Sequence, residues 1–309
     1  MTPYMITPNE QQSKLGEVLG APKLYFKRED LHPLGSHKGR SIPYMINEHI
    51  KNGVRHFAIS SSGNAALAAG LYVQQLNNSS KKNTEQITLE ILVGQNIAPK
   101  KLAKLQVLKS EQIHVSIHDR PKQALLIKTK NSDGDSENFS NKIVSLRQSE
   151  DDTALVGYES LARELAEIPD LQAIFIGTSS GTTAQALAKY FLKNKNKVQI
   201  HIVQTPTCHP IVDAVSGILD SENHEKSIAD AIVDRTAHRK ETIAELIKKT
   251  DGTAWIANNE SLNSAIEITK KHTGLFISSN SALSIAGLMQ AIYTGHSWKG
   301  AVVCIICGD

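Results

Sequence analysis

Four short segments, far apart in this chain, carry side chains that could act together chemically. They are Gly-Ser-His-Lys-Gly-Arg at 35–40, Ser-Ser-Gly-Asn at 61–64, Gly-Thr-Ser-Ser-Gly-Thr at 177–182, and Cys-Gly at 307–308. In that order they offer a reactive amine, a polar loop for a carboxylate, a cradle for a phosphate, and a neutral polar group. Each segment is weak alone, but together they supply what a phosphorylated aldehyde cofactor requires.

The amine is Lys38, which follows a predicted strand at 24–27 and a turn. Ser36 is a suitable helix N-cap and would place Lys38 in the first helical turn. The positive end of a helix dipole favours the uncharged, nucleophilic form of an amine. Taken alone, the segment is also compatible with a surface lysine in a basic turn.

The phosphate cradle lies between a hydrophobic strand at 173–176 and a helix at 184–190. Glycines permit close backbone approach, and a helix N-terminus presents N–H groups to an anion. The segment matches neither the P-loop nor the Gly-x-Gly-x-x-Gly pattern, which disfavours a nucleoside triphosphate and a dinucleotide. An ordinary strand–helix turn is the alternative. The candidate residues of the phosphate cradle are Gly177, Thr178, Ser179, Ser180, Gly181 and Thr182.

The loop at 61–64 has the same strand-to-helix setting and would suit a carboxylate. Ser61, Ser62 and Gly63 are the candidate ligands, and Asn64 could donate to a phenolate oxygen on a cofactor ring. A plain helix cap is the alternative, because Ser and Asn are preferred there.

Cys307 ends the last predicted strand, at 301–306. A neutral thiol beside a pyridine nitrogen does not stabilise the pyridinium, which favours eliminations and replacements over transamination. A buried structural cysteine is the alternative. Jointly, the four segments predict a site for pyridoxal 5'-phosphate.

Composition limits the remaining possibilities. The 309 residues, 40% hydrophobic and 21% charged, are typical of a globular chain with room for two lobes. The net charge of +3 is small and the basic residues are scattered along the chain, so we expect no nucleic-acid partner. We expect a cytoplasmic protein without membrane contact, since neither an apolar run of about 20 residues nor a signal peptide is evident. Cys304 and Cys307 should face opposite sides of a strand, so no metal or redox site is expected.

Short β-rich runs alternate with helical segments, which predicts an α/β fold with mostly parallel sheets. The polar stretch 131–141 is the candidate connection between lobes. We expect a smaller lobe at 41–145 that carries the Ser-Ser-Gly-Asn loop. Residues 1–40 and 146–309 would then form the larger lobe, with Lys38 and the phosphate loop.

The segment 27–40, Lys-Arg-Glu-Asp-Leu-His-Pro-Leu-Gly-Ser-His-Lys-Gly-Arg, resembles the strand, turn and Schiff-base lysine of the tryptophan-synthase-β-like family. This is fold type II of the pyridoxal phosphate enzymes, and the four motifs occur in the family's order. Within the family the likeness is greatest to the threonine synthases, at 203–211, 227–232 and 274–288. The resemblance implies two lobes with mostly parallel sheets flanked by helices, an amino-acid substrate and a homodimer.

The resemblance also assigns roles to the candidate residues. Lys38 would carry the cofactor as a Schiff base and shuttle protons, beside His37 as a neighbour of the ring. Asn64 would bond the ring oxygen, 177–182 the cofactor phosphate, and Cys307 the ring nitrogen. The loop of Ser61, Ser62 and Gly63 would hold the substrate carboxylate. Apart from the resemblance, His37 and Arg147 are candidates for contacting a polar leaving group, with an exposed loop arginine as the alternative for Arg147.

Departures from the threonine synthase pattern keep other activities open. Those enzymes typically have Phe-Lys-Asp-Arg where this chain has His-Lys-Gly-Arg at 37–40. Their Asn-rich segment, which helps to recognise a phosphorylated substrate, is replaced here by Ser-Leu-Arg-Gln-Ser-Glu at 145–150. Some serine dehydratases have Cys at the position of Cys307. We therefore expect threonine synthase-like chemistry on O-phosphohomoserine, with a serine/threonine ammonia-lyase or a non-catalytic cofactor-binding protein as alternatives.

Overall fold

The computed structural model describes residues 5–61, 63–79, 86–132, 142–217 and 226–308. The chain divides into two compact units. One comprises the residues up to His32 together with those from Tyr158 onward, and the other is Pro33–Gly157. Both units are α/β with mostly parallel sheets, which confirms the expected fold class. Lys38 lies in the smaller unit, whereas the lobe limits at 41 and 145 are drawn from sequence composition and stay a prediction.

The strands of the described residues are β1 (Asn9–Gln11), β2 (Leu24–Arg28), β3 (His56–Ser60), β4 (Thr88–Gly94), β5 (Ile113–His118), β6 (Ile143–Ser145), β7 (Leu171–Gly177), β8 (Gln199–Gln204), β9 (Ala254–Ile256) and β10 (Ala301–Ile306). The helices are α1 (Ser13–Leu19), α2 (Lys38–Lys51), α3 (Asn64–Ser79), α4 (Pro99–Gln106), α5 (Pro121–Ser132), α6 (Thr153–Gly157), α7 (Glu159–Ala166), α8 (Thr182–Lys193), α9 (Pro210–Ser216), α10 (Lys240–Lys249), α11 (Asn259–Thr273) and α12 (Ser279–Tyr293).

The larger unit is built on a six-stranded sheet in the order β1-β2-β10-β7-β8-β9. All of its neighbouring strands pair in parallel except β1 with β2. Every residue of β10 is buried, as expected for a parallel strand covered on both faces. Helix α12 packs along β7, β8 and β10, and its Ala282, Leu283 and Ala286 lie in the core.

The smaller unit has a four-stranded sheet in the order β5-β4-β3-β6, with every pair parallel. Its core is formed by Ile42, Met45 and Ile46 of α2 with hydrophobic residues of β3 and β4. Helix α2 packs against both α3 and α6. The contiguous apolar runs of these strands are what make them recognisable in the sequence.

The carboxyl ends of the parallel strands bring most of the candidate segments to two edges. In the larger unit, β7 leads into the 177–182 loop and its neighbour β10 leads into Cys307. In the smaller unit, β3 leads into Ser61 and its neighbour β6 leads towards Arg147. Ligand sites of open α/β sheets occur outside these carboxyl ends, particularly at switch points in strand order.

One detail of the sequence interpretation is wrong. The thiols of Cys304 and Cys307 do not face opposite sides, because both approach α12. Cys304 Sγ lies 3.5 Å from Ser284 O and Cys307 Sγ lies 3.9 Å from Ser281 Oγ. Strand alternation fails at Cys307 because β10 ends one residue earlier, at Ile306. Among the described residues, no helix is long and apolar enough to cross a membrane.

Candidate active site

The turn before Lys38 depends on Gly35. Its φ is +85°, a left-handed conformation that glycine adopts without strain. A Cβ at this position would lie 2.9 Å from Leu67 Cδ2, in the first turn of α3. The turn that leads to Lys38 therefore packs closely on the helix that begins at Asn64.

Lys38 is the first residue of α2 and is partly buried. Its N–H donates to Ser36 Oγ over 3.2 Å, so the serine satisfies one of the free N–H groups of the first turn. The helical N-cap position itself belongs to His37, which is 7% exposed. The structure thus confirms a first-turn position for Lys38. The helix begins one residue later than a Ser36 N-cap implies, so Lys38 is its first residue rather than its second.

Helix α6 holds the first half of α2 in place. Ser41 Oγ donates to Ala154 O over 3.0 Å. A Cβ on Gly157 would lie 2.8 Å from the backbone oxygen of Arg40 and 2.6 Å from Ser41 Cα. This close packing leaves the start of α2, and hence Lys38, little freedom to move within the unit.

A carboxylate ties the other half of α2 to the same short helix. Asp151 Oδ2 lies 2.9 Å from His49 Nε2, while its Oδ1 accepts from the N–H and hydroxyl of Thr153 at 2.8 and 2.6 Å. Burial acts to raise the pKa of Asp151, but the bonds from His49 and Thr153 prevail and lower that pKa to about 2. Asp151 therefore fixes the segment between β6 and α6.

The loop after β3 is half-buried at Ser61 and Gly63. The N–H of Gly63 donates to Ser61 Oγ over 3.3 Å, and a Cβ on Gly63 would meet no atom within 4 Å. Asn64 begins α3, and its side chain forms no hydrogen bond with another described residue. The loop therefore borders open space with an available amide. Ser62 lies outside the described residues.

Arg147 lies at the same sheet edge as Ser61. Leu146 N donates to Ala58 O over 2.9 Å, which continues the pairing of β6 with β3 up to this point. The Arg147 guanidinium forms an ion pair with Glu150, and its side chain is 30% exposed. The edge thus carries a cation whose charge is partly compensated.

The geometry of the 177–182 loop is set by its two glycines. A Cβ on Gly177 would lie 2.8 Å from Leu283 Cβ, so the end of β7 lies directly on α12. Gly181 is the N-cap of α8 with a φ of +79°. A Cβ there would overlap Ile243 and lie 2.9 Å from Ile211 Cδ1. Both positions thus require glycine for close packing.

Among the described residues, the Ser179 hydroxyl of this loop has a hydrogen that it can donate to a ligand. Ser179 Oγ accepts the N–H groups of Val233 and Asp234, each at 3.0 Å, and its own proton remains to be donated. Ser180 Oγ and Thr182 Oγ1 are 3.1 Å apart and share a hydrogen bond. Thr178 is 6% exposed, and its N–H donates to Val203 O.

Gln204 also belongs to this loop's surroundings, and sequence reasoning missed it. Its Nε2 donates to Thr178 O and Ser179 O at 3.3 and 3.4 Å. Its Oε1 accepts from the N–H groups of Ile211 and Val212 at 2.9 and 3.1 Å. A polar residue at the end of an apolar strand was the available signal, since a buried amide needs partners.

Cys307 is 6% exposed and lies between β10 and the first turn of α12. Ser278, the N-cap of α12, accepts from Ser281 N and donates to Gly308 O at 3.1 and 2.8 Å. Gly308 has a φ of +93°, so the chain turns sharply after the thiol. Among the described contacts of the Cys307 thiol is the neutral hydroxyl of Ser281, 3.9 Å away.

These groups fit pyridoxal phosphate by the chemistry of their donors. The hydroxyls and helix start at 177–182 suit a phosphate dianion. Lys38 supplies an amine, Asn64 an amide donor for a ring oxygen, and Cys307 a neutral group for a ring nitrogen. The roles of the individual residues towards the cofactor are predictions.

Comparison with known proteins gives the family. The model of the family described as pyridoxal-phosphate dependent enzyme matches residues 2–308. A threonine synthase of Mycobacterium bovis is 25% identical over 318 residues, covering 98% of this chain and 81% of that protein.

Two solved structures share the fold. Threonine deaminase isoform 2 from Solanum lycopersicum has a TM-score of 0.76 at 19% identity, covering 98% of this chain and 84% of its own. A pyridoxal 5'-phosphate-dependent aspartate racemase has a TM-score of 0.80 at 19% identity, with 98% and 90% covered. Since the family match spans almost the whole sequence, the chain belongs to the pyridoxal-phosphate dependent enzymes of fold type II, and its cofactor is pyridoxal phosphate.

Proposed function

We propose that this enzyme acts as a threonine synthase, converting O-phosphohomoserine and water into L-threonine and phosphate. The observation that carries the proposal is the edge of the smaller sheet, where the Ser61 loop and Arg147 follow neighbouring parallel strands. A substrate with a carboxylate and a phosphate ester needs two anion-binding groups, and this edge offers a helix start and a guanidinium. The threonine synthase relative, which aligns with 98% of the chain, adds support.

The bound cofactor supplies an electron sink that makes the protons near the substrate's amino group removable. Lys38 binds the cofactor and moves protons at the α- and β-carbons, from the fixed start of α2. Asn64 donates to the cofactor's ring oxygen, and His37 packs beside the ring. The 177–182 loop holds the cofactor phosphate, and Cys307 faces the ring nitrogen without adding charge.

The substrate is oriented by the smaller unit in this proposal. The N–H and hydroxyl groups of Ser61, Ser62 and Gly63 bind its carboxylate. Arg147 binds the phosphate that leaves from the γ-carbon, after which water adds at the β-carbon. For this purpose Arg147 exchanges some of its contact with Glu150 for the dianion, a stronger bidentate partner.

The ion pair of Arg147 with Glu150 favours a second candidate, a serine/threonine ammonia-lyase. A guanidinium that stays neutralised by a carboxylate is poorly suited to a phosphate ester, but it is compatible with loss of an uncharged β-hydroxyl. The product would then be a 2-oxo acid with ammonia, and no phosphate would be released.

Product analysis tests the two candidates. The cofactor-loaded protein is incubated separately with O-phosphohomoserine, L-threonine and L-serine, and products are identified by mass spectrometry. Threonine with an equal amount of phosphate is the expected result. Formation of 2-oxobutyrate or pyruvate without phosphate release would contradict the synthase proposal and support the ammonia-lyase. No product from any of the three would contradict both candidates.

Arg147→Gln tests the role of the guanidinium. We expect KM for O-phosphohomoserine to rise about 10- to 100-fold, as for loss of a charge-assisted hydrogen bond. Arg163→Gln is the matched control, because Arg163 pairs with Glu159 on an exposed surface of α7. An unchanged KM in Arg147→Gln would remove this residue from the substrate site.

We also propose that the chain acts as a homodimer. Support comes from the resemblance to the tryptophan-synthase-β-like family, which implies a homodimer. Light scattering of the cofactor-loaded protein tests this, and a mass of one chain, 33.7 kDa, would contradict it.

A further inference from the structure

The amide of Gln204 connects two backbone segments of the larger unit. Its nitrogen donates to the carbonyl oxygens of Thr178 and Ser179, and its oxygen accepts from the first N–H groups of α9. The side chain has no exposed surface. A buried amide with partners on both of its ends has a single orientation, since a flipped amide would oppose donors to donors and acceptors to acceptors.

The two carbonyls held by Gln204 belong to the 177–182 loop, and their direction determines the direction of the following N–H groups. Each peptide unit is planar, so fixing Thr178 O and Ser179 O also fixes the N–H groups of Ser179 and Ser180. These N–H groups precede the start of α8, which is the part of the loop suited to an anion.

We propose that Gln204 is a positioning residue that aims the backbone N–H groups of this loop at the cofactor phosphate. The inference rests on the proposed placement of that phosphate at 177–182. A preorganised loop binds a dianion without first reorienting its dipoles, so the loss of Gln204 weakens binding of the phosphate rather than binding of the ring.

Gln204→Glu is the sharpest variant, because the two side chains have the same shape. One carboxylate oxygen still accepts from Ile211 N and Val212 N. In the ionised form, the other oxygen faces Thr178 O and Ser179 O and cannot donate to them. The substitution therefore keeps the hydrogen bonds to α9 and replaces the hydrogen bonds to the loop by unfavourable contacts between oxygen atoms.

The test is titration of the apo-protein with pyridoxal phosphate and, separately, with pyridoxal, which lacks the phosphate. The visible absorption band of the lysine-bound form gives Kd for each. We expect Gln204→Glu to raise Kd for pyridoxal phosphate about 10- to 100-fold and to leave Kd for pyridoxal unchanged. Unchanged Kd for both compounds, or an equal rise for both, would overturn the inference.

Gln199→Glu is the matched control. Gln199 begins the same strand, β8, and its Oε1 accepts from Trp298 Nε1 over 2.7 Å, so a carboxylate retains that bond. Its Kd values should equal those of the wild type. If Gln204→Glu does not fold, Gln204→Met replaces it, and a Gln204→Met protein that keeps full preference for pyridoxal phosphate over pyridoxal would overturn the inference.

A double variant of the loop separates this inference from the proposed phosphate site. Ser180→Ala with Thr182→Val removes the two paired hydroxyls. If this variant loses its preference for pyridoxal phosphate while Gln204→Glu retains it, the positioning role alone is wrong. If both variants retain the preference, the placement of the phosphate at 177–182 is wrong as well.

Discussion

Replacing Gly181 by alanine should destabilise the larger unit more than the same substitution at a left-handed glycine that has open space around it. Gly181 has a φ of +79°, and a Cβ there would overlap Ile243 Cδ1 and approach Ile211 Cδ1 to 2.9 Å. Both isoleucines have no exposed surface. Neither can therefore swing into solvent to make room.

The expected cost has two parts. A residue with a Cβ in the left-handed region costs about 1–2 kcal/mol, and the added methyl in a closed core costs about 1–3 kcal/mol more. Alanine also lowers the conformational entropy of the unfolded chain, which raises the free energy of unfolding by about 0.4–1 kcal/mol. Gly181→Ala should thus lower the free energy of unfolding by about 2–4 kcal/mol and weaken binding of pyridoxal phosphate.

Gly274→Ala is the matched control. Gly274 has a φ of +74° at the end of α11, and a Cβ there would meet no atom within 4 Å. It should show only the backbone cost, about 1 kcal/mol, with unchanged cofactor affinity. Urea unfolding of the apo-proteins measures both costs. Equal destabilisation by the two variants would refute the packing argument at Gly181.

Two titratable residues give further predictions. Burial, with a contribution from His296, lowers the pKa of His201 to about 3. Below pH 6.5, only the unfolded chain then binds a proton at this imidazole. The free energy of unfolding therefore falls by about 1.4 kcal/mol for each unit by which the pH is lowered, which amounts to about 2 kcal/mol at pH 5. Urea unfolding should show this pH dependence in the wild type but not in His201→Gln. The control is His238→Gln, at an exposed position, which should keep the dependence. The same dependence in all three proteins would contradict the role of His201. Asp151 has a pKa of about 2, so its contribution to the free energy of unfolding is present above pH 3.8 and is lost as the pH falls towards 2. Asp151→Asn should cost about 2 kcal/mol at pH 7, and a difference from wild type that stays constant down to pH 3 would contradict the His49–Asp151 contribution.

The apolar strands and their loops were the predictable part of this fold. The predicted strand 301–306 matches β10 in both bounds, and the predicted strands 24–27 and 173–176 lie within β2 and β7. These strands are recognisable because parallel strands are hydrophobic on both faces and are followed by Gly- and Ser-rich turns. The same signal located the loops at 61–64 and 177–182.

Other features depend on contacts that a sequence pattern does not contain. The length of α2 was hidden by Pro43, a residue that usually interrupts a helix. Strand β6 has only three residues and is defined by its pairing with β3. Gln204 gains its role from partners seven and eight residues ahead and more than twenty residues behind it. The His49–Asp151 pair joins positions 102 residues apart.

The most direct test of the proposed site is the identity of the lysine that binds the cofactor. The cofactor-loaded protein is reduced with borohydride, digested, and searched by mass spectrometry for the lysine that carries the pyridoxyl group. The account predicts a single modified residue, Lys38, at the start of α2. Stoichiometric modification of any other lysine, with Lys38 unmodified, would contradict it.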